Sequence, residues 1–231
     1  MQNGNEKATK NSAFEGISDA TVRRLPRYFR FLRELIARGE TKISSAALAR
    51  MMDVTASQIR QDLNCFGGFG TQGYGYNIRH LYSQIARLLG VEEDYRAVIV
   101  GAGNLGRAIV GSPMFERRGV RAVAMFDVDP ELIGKTFAGV PIYAFDTLCD
   151  YCRENRVDIG VLTLPRDRAH DALAVLCEAG VRGVWNFTSN EFEEAESMAV
   201  ENVYMGDSLM TLCYKMRVAD IASADTEDSD E

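Results

Sequence analysis

The chain has 231 residues, 46% of them hydrophobic and 26% charged, which is a globular composition with length enough for two hydrophobic cores. Its apolar runs, such as those at 97–100 and 120–126, are far too short to span a bilayer, and the polar start leads into no apolar stretch of the kind that directs secretion, so no membrane partner and a cytoplasmic location are expected. The net charge of −7 hides an asymmetry: residues 1–90 carry 13 Lys and Arg against 7 Asp and Glu, and the remainder 13 against 26, the pattern of one unit that meets a polyanion and another that does not.

The first ten or so residues and the acidic end are expected to be disordered tails, 1–13 and 223–231, for want of apolar content. Between them, the first third reads as helical. Ser18 suits the cap of a short turn, and Pro26 suits a helix start. Leu25, Phe29, Leu32, Leu35 and Ile36 then recur at helical spacing until Gly39. After a short connector, 42–44, Ser45 is expected to cap a second helix. Asp53-Val54 makes a tight turn, and Thr55 caps a third helix running to about Cys65.

Two short helices across a tight turn form a helix-turn-helix pattern. With Leu48, Val54, Ile59 and Leu63 inward, Ser57, Gln58, Arg60 and Gln61 are left outward. Arg suits guanine, Gln suits adenine, and Ser suits either. The glycine-rich, aromatic stretch 66–77 reads as a β-hairpin, the wing of a winged helix. Gln72 and Tyr74 would meet nucleic acid near its tip, with Lys42 beside them. A fourth helix, about 78–89, closes the expected DNA-binding domain at 14–90.

From residue 91 strands and helices alternate. Buried-strand runs at 97–100, 120–126, 140–143, 159–163, 183–186 and 200–203 describe a doubly wound parallel sheet over 91–206, an α/β fold. The first strand runs into Gly101-Ala-Gly103-Asn-Leu-Gly106 and then a helix, and the second ends in Asp127, the full context of a dinucleotide fingerprint. In this pattern Gly101 permits the turn, Gly103 lets the backbone approach a pyrophosphate, Gly106 permits close packing, and Ala102, Asn104 and Leu105 complete the phosphate turn. Asp127 accepts from ribose hydroxyls and repels a 2′-phosphate, and no Arg follows in Val128-Asp129-Pro130. NAD(H) is therefore favoured over NADP(H), with FAD or S-adenosylmethionine the structural alternative. Leu209, Leu212, Cys213, Met216 and Ala219 form an apolar stripe on a last helix, 207–222, that needs a partner.

The five cysteines, Cys65, Cys149, Cys152, Cys177 and Cys213, are scattered and odd in number, as befits reduced thiols. Cys149 and Cys152 lack the second pair a zinc site requires, so no metal is expected.

The chain resembles the Rex family, redox-sensing transcriptional repressors of bacteria. The resemblance rests on Ile17-Ser-Asp-Ala-Thr-Val-Arg-Arg-Leu-Pro-Arg-Tyr28, Gln58-Ile-Arg-Gln-Asp-Leu63, Phe66-Gly-Gly-Phe-Gly70, Gly73-Tyr-Gly-Tyr-Asn77, Gly101-Ala-Gly-Asn-Leu-Gly106, Phe126-Asp-Val-Asp129, Gly139-Val-Pro141, Leu164-Pro165 and Asn186-Phe187. It spans roughly residues 14–220, with both domains matched in order. It implies an N-terminal winged helix, a C-terminal Rossmann domain, and a homodimer whose last helix swaps onto the partner. It also implies binding to an inverted-repeat operator that NAD⁺ permits and NADH relieves. Val128, Thr163, Leu164, Pro165, Asn186, Phe187 and Tyr204 are expected to join the dinucleotide site, with Thr163–Pro165, Phe187 and Tyr204 near the nicotinamide. Two stretches depart from the family pattern: Tyr204 stands where many members have Asp, and Arg166-Asp-Arg-Ala-His170 where the segment is often Ala-rich with a Gln.

A dehydrogenase would need an acid–base group beside its substrate. Of the two histidines, His80 lies outside the nucleotide domain and His170 reads as a surface residue, so no catalytic residue and no enzyme activity are expected. A thiol-based regulator acting through Cys65 or the Cys149–Cys152 pair remains compatible with dinucleotide sensing.

Overall fold

The computed structural model describes residues 17–65, 70–71, 75–195 and 197–227. The chain divides into two compact units between Glu93 and Asp94. The first contains α1 (Asp19–Val22), α2 (Leu25–Ala37), β1 (Lys42–Ile43), α3 (Ser45–Met52), α4 (Ala56–Asn64), β2 (Gly70–Thr71), β3 (Gly75–Asn77) and α5 (Ile78–Leu88). Four of the five helices start on a side-chain cap. Ser18, Ser44, Thr55 and Asn77 accept the backbone N–H of Thr21, Ala47, Gln58 and His80 at 2.9–3.3 Å, filling one of the donors each helix start leaves open. The cap of α3 is thus Ser44, not Ser45, which is already helical. The segment 42–44 is more than a connector: β1 pairs antiparallel with β3, and β3 with β2, in the order β1-β3-β2. Helices with a small antiparallel sheet behind α4 form a winged helix. The expected tail 1–13 and the hairpin positions Gln72 and Tyr74 lie outside the described residues.

The core of this unit follows the helical spacing. Leu25, Tyr28, Phe29, Leu32 and Leu35 of α2 pack with Leu48 and Met52, with Ile59 and Leu63, and with Leu81 and Ile85. Inside that apolar cluster lies one fully buried carboxylate, Asp62 of α4. Arg24 donates to it through Nε and Nη2 at 2.7 Å each. Tyr28 Oη and Gln58 Nε2 donate at 2.9 Å, and Thr21 Oγ1 at 3.3 Å. Burial pushes the Asp62 carboxyl up, but the hydrogen bonds from Arg24, Gln58 and Tyr28 and the Arg24 charge outweigh it and hold the group below its ordinary value. The Tyr28 hydroxyl is pushed far up, by burial first and by Asp62 second.

The second unit holds β4 (Tyr95–Val100), α6 (Asn104–Val110), β5 (Val120–Asp127), β6 (Thr136–Phe137), β7 (Val140–Ala144), α7 (Leu148–Asn155), β8 (Ile159–Leu162), α8 (Ala169–Glu178), β9 (Gly183–Asn186), β10 (Ala199–Asn202) and α9 (Met205–Glu227). The strand order is β10-β9-β8-β4-β5-β7-β6. All pairings are parallel except β6 with β7, so the sheet is not wholly parallel as read from the sequence: a two-residue antiparallel strand, too short to show periodicity, closes one edge. Strand β4 alternates its buried residues between two cores. Val98 and Val100 pack with α7 and α8 on one face, and Ala97 and Ile99 with Ile109 and Phe115 on the other, the two-faced burial of a doubly wound fold.

Helix α9 is longer at both ends than the expected 207–222, and residues 223–227 continue it rather than form a tail. Every side chain from Met205 to Asp220 is exposed. No helix among the described residues is long and apolar enough to cross a membrane.

Replacing Asp62 by Ala is expected to destabilise the protein by about 3–5 kcal/mol, because Arg24 and Tyr28 lose a buried acceptor. The folded value lies below that of the unfolded chain, about 3.9, so the stabilisation is full above about pH 4 and is lost as pH falls through the folded value. Urea unfolding of the wild type and of Asp62→Asn should therefore show a stability gap at pH 6 that narrows towards pH 3; a gap independent of pH would contradict this assignment.

Candidate functional site

Strands β4 and β8 are neighbours, but the chain leaves them in opposite directions across the sheet, to β5 on one side and to β9 on the other. That reversal opens a crevice at the carboxyl ends of the strands. Gly101 ends β4 with φ of +103°, and its N–H donates to the Phe126 carbonyl at 2.8 Å. A Cβ on Gly101 would stand 2.7 Å from the Thr163 carbonyl oxygen, and a Cβ on Gly106 would overlap the Gly101 carbonyl oxygen and stand 2.9 Å from Thr163 Oγ1. Thr163 in turn donates its hydroxyl to the Gly101 carbonyl at 2.8 Å. The turn is therefore held tightly from below. Gly103 differs: nothing lies within 4 Å of a Cβ built there, so the loop presents open backbone to the crevice.

A cavity of about 190 Å³ lies over this turn, lined by Gly101, Gly103, Asp127, Val128, Thr163, Leu164 and Pro165 among the expected residues, and by Val100, Phe126, Phe145, Arg168 and Asp171 besides. It is smaller than the roughly 300–1,000 Å³ of whole-ligand sites, and its walls come from the ends of β4, β5, β7 and β8, the side on which such folds place the adenosine half of a dinucleotide. Asp127 is fixed on three sides: Oδ2 accepts the Ala102 N–H at 2.6 Å, and Oδ1 accepts those of Val128 and Asp129 at 2.8 and 3.0 Å. A carboxylate oxygen takes two donors, so Oδ2 keeps one lone pair for a ligand hydroxyl. Among the described residues no group of three His, Cys, Asp or Glu could hold a metal ion.

The remaining expected residues take other places. Ala102 is buried beneath the turn, Leu105 packs into the core under α6, and Asn104 accepts from Arg107 at 2.9 Å. Asn186 is fully committed within the fold. Its Nδ2 donates to the Asn190 carbonyl and to Asn202, and its Oδ1 accepts twice from Thr188, so its side chain shapes the β9–β10 end instead of offering free groups to a ligand. Phe187 packs edge-on against Trp185, with centroids 4.5 Å apart, and Tyr204 stands 40% exposed just before α9. Neither lines the cavity. Cys152 is buried, and its thiol is pushed up to about 12 by burial first and by Cys149 second, the setting of an unreactive thiol.

In the first unit Ser57, Arg60 and Gln61 of α4 are exposed, and Arg60 Nη1 donates to Ser45 Oγ at 3.3 Å. Gln58 departs from the outward reading, because its amide turns into the unit and donates to Asp62. Lys42 begins β1, exposed. Asp62 itself went unread in the sequence, although its spacing of three from Ile59 set a charge on the buried face.

Known proteins carry the same arrangement. Residues 92–190 match the family model described as CoA binding domain, and residues 16–64 the one described as putative DNA-binding protein N-terminus. The redox-sensing transcriptional repressor Rex of Caldicellulosiruptor bescii is 45% identical over 202 residues, 87% of this chain and 93% of that protein. Its counterpart in Clostridium tetani is 44% identical over 200 residues, 87% of this chain and 95% of that protein. The chain belongs to the Rex family. It is therefore a regulator and not an enzyme. Among solved structures of the family, the repressor RSP in complex with β-NAD⁺ and operator DNA superposes with a TM-score of 0.83 at 41% identity, covering 90% of this chain and 96% of that one. RSP in complex with β-NADH gives 0.84 at 39%, covering 90% and 98%.

The two glycines of the turn separate in their effect on folding. Gly106→Ala is expected to lower stability by about 3 kcal/mol, whereas Gly103→Ala, with ordinary φ of −70° and open space around it, should stay within about 0.5 kcal/mol of wild type. Thermal unfolding of the two variants reads the difference, and equal losses would contradict the packing described.

Proposed function

We propose that this Rex-family chain acts in the cytoplasm as a homodimeric repressor, binding an inverted-repeat operator in the presence of NAD⁺ and releasing it when NADH takes its place. The observation that carries the reading is the combination, in one chain, of an exposed recognition helix and the Gly101–Gly106 turn under a cavity closed by Asp127, in a protein 41% identical to one described with both β-NAD⁺ and operator DNA. The open backbone at Gly103 receives the pyrophosphate, and the remaining lone pair of Asp127 Oδ2 receives a ribose hydroxyl. A carboxylate at that place repels a 2′-phosphate, which selects NAD(H). Thr163, Leu164 and Pro165 wall the adenosine half, and Phe187 and Tyr204, outside that cavity, are left to meet the nicotinamide, whose oxidised ring is flat and cationic and whose reduced ring is neutral. A ligand that favours one of two conformations shifts their populations by no more than its difference in affinity for them.

On the DNA side, Arg60 and Gln61 of α4 reach base edges, Ser57 and Lys42 contact the backbone, and Gln72 and Tyr74 extend the contact through the wing. Exposure supports the dimer. Leu209, Met210 and Met216 of α9 are 60%, 65% and 58% exposed, an apolar surface that one chain leaves in water and a second copy covers.

The test is an equilibrium titration on an inverted-repeat duplex at fixed salt, first with NAD⁺ and then with NADH. NADH should weaken binding by about 5–150-fold, and the stably folded Gly103→Ala variant should lose the response. The double variant Leu209→Asp with Met216→Asp should sediment as a monomer and bind the duplex at least about a hundredfold more weakly. DNA affinity indifferent to both nucleotides would remove the sensing role, and an unaltered dimer in the double variant would remove α9 from the interface.

A further inference from the structure

The dinucleotide cavity has three charged side chains in its lining: Asp127, Arg168 and Asp171. The first belongs to the fingerprint. Of the other two, Arg168 ends the turn Arg166–Arg168 and Asp171 stands in the first turn of α8, which that turn leads into. They stand three residues apart, the spacing that puts two side chains on one face of a helical turn. Arg168 has an ion-pair neighbour in Asp167 at 3.7 Å, with side-chain exposures of 66% and 77%, a contact too long and too solvated to hold the guanidinium away from a ligand. The rest of that wall is apolar: Val128 and Phe145 on one side, Leu164 and Pro165 on the other.

With Gly103 taking the phosphates and Asp127 the ribose, this apolar slot with a charged rim is left for the base. We propose that Arg168 and Asp171 read the adenine of the bound dinucleotide as a pair, which rests on the function proposed above. Asp171 accepts from the exocyclic amine at C6, and Arg168 donates to N7, an acceptor in either purine, or lies across the ring face. Adenine offers donor and acceptor side by side, and a carboxylate beside a guanidinium is the matching arrangement. A base with an oxo group at C6 brings an acceptor against the carboxylate, an unpaired contact that a polar site rejects strongly. The pair therefore makes this protein a reader of adenine and not of any purine dinucleotide.

The probe is nicotinamide hypoxanthine dinucleotide, which differs from NAD⁺ in carrying oxygen in place of the amine at C6 and a proton on the adjacent N1, and leaves N7 an acceptor. Isothermal titration of the full-length protein without DNA should give NAD⁺ an advantage of about tenfold or more, the usual effect of one hydrogen bond to a charged group. Asp171→Ala should reduce that ratio to about threefold or less. Asp171→Asn, whose amide can donate to an oxo group, should shift it towards the hypoxanthine form, and Arg168→Ala should weaken both ligands alike. Both positions are exposed, so the variants fold as the wild type does. A wild type that binds both dinucleotides equally, or an Asp171→Ala protein that keeps the wild-type ratio, overturns the inference and leaves the sensing role intact. A wild type that binds neither overturns both.

Discussion

Helix α6 reaches its place against β4 and β8 because Gly106 has no side chain. A methyl group there would overlap the Gly101 carbonyl oxygen and press on the Thr163 hydroxyl, and that hydroxyl is itself spent on the Gly101 carbonyl. Three strand ends are drawn to one point by this contact: β4 through Gly101, β5 through the bond from Gly101 N–H to Phe126, and β8 through Thr163. Asp127 then ties back to the turn through the Ala102 N–H. The crevice is thus set before any ligand arrives, which is what binding without a large ordering cost requires.

The first unit depends on a contact of the opposite kind. Asp62 has no solvent, and five donor groups from α1, the α1–α2 turn, α2 and α4 converge on its two oxygens. A buried charge of this sort adds little net stability over an apolar core but penalises any packing that leaves it unpaired. Here it fixes the rotation of α4 about its own axis, and so decides which of its side chains face outward. Gln58 is drawn into this arrangement, whereas Ser57, Arg60 and Gln61 are left at the surface.

Much of this was legible in the residues. The cap positions Ser18 and Thr55, the left-handed turn at Asp53 and the inward faces of α2, α3 and α4 follow from local spacing and capping chemistry, which the fold obeys. The six parallel strands of the second unit announced themselves by short apolar runs at regular intervals. Legibility failed where the deciding interaction is not local. The β6 strand, Thr136–Phe137, exists only through its pairing with β7, and β1 only through β3. The inward turn of Gln58 depends on a carboxylate that Arg24 holds from another helix. Asn186 was expected at the ligand from the family resemblance alone, but Asn190, Asn202 and Thr188 consume its amide. Phe145 reaches the cavity from the turn after β7, Arg168 from the turn before α8 and Asp171 from α8 itself, and the approach of these segments to the fingerprint turn is a property of the folded sheet.

A repressor relieved by NADH couples its nucleotide and operator equilibria, and coupling between two binding equilibria is reciprocal. The most direct measurement is the affinity for NADH in the absence and in the presence of saturating operator duplex. The duplex should weaken NADH binding by the same factor by which NADH weakens binding of the duplex, and leave NAD⁺ affinity little changed. An NADH affinity that is identical with and without the duplex would contradict it.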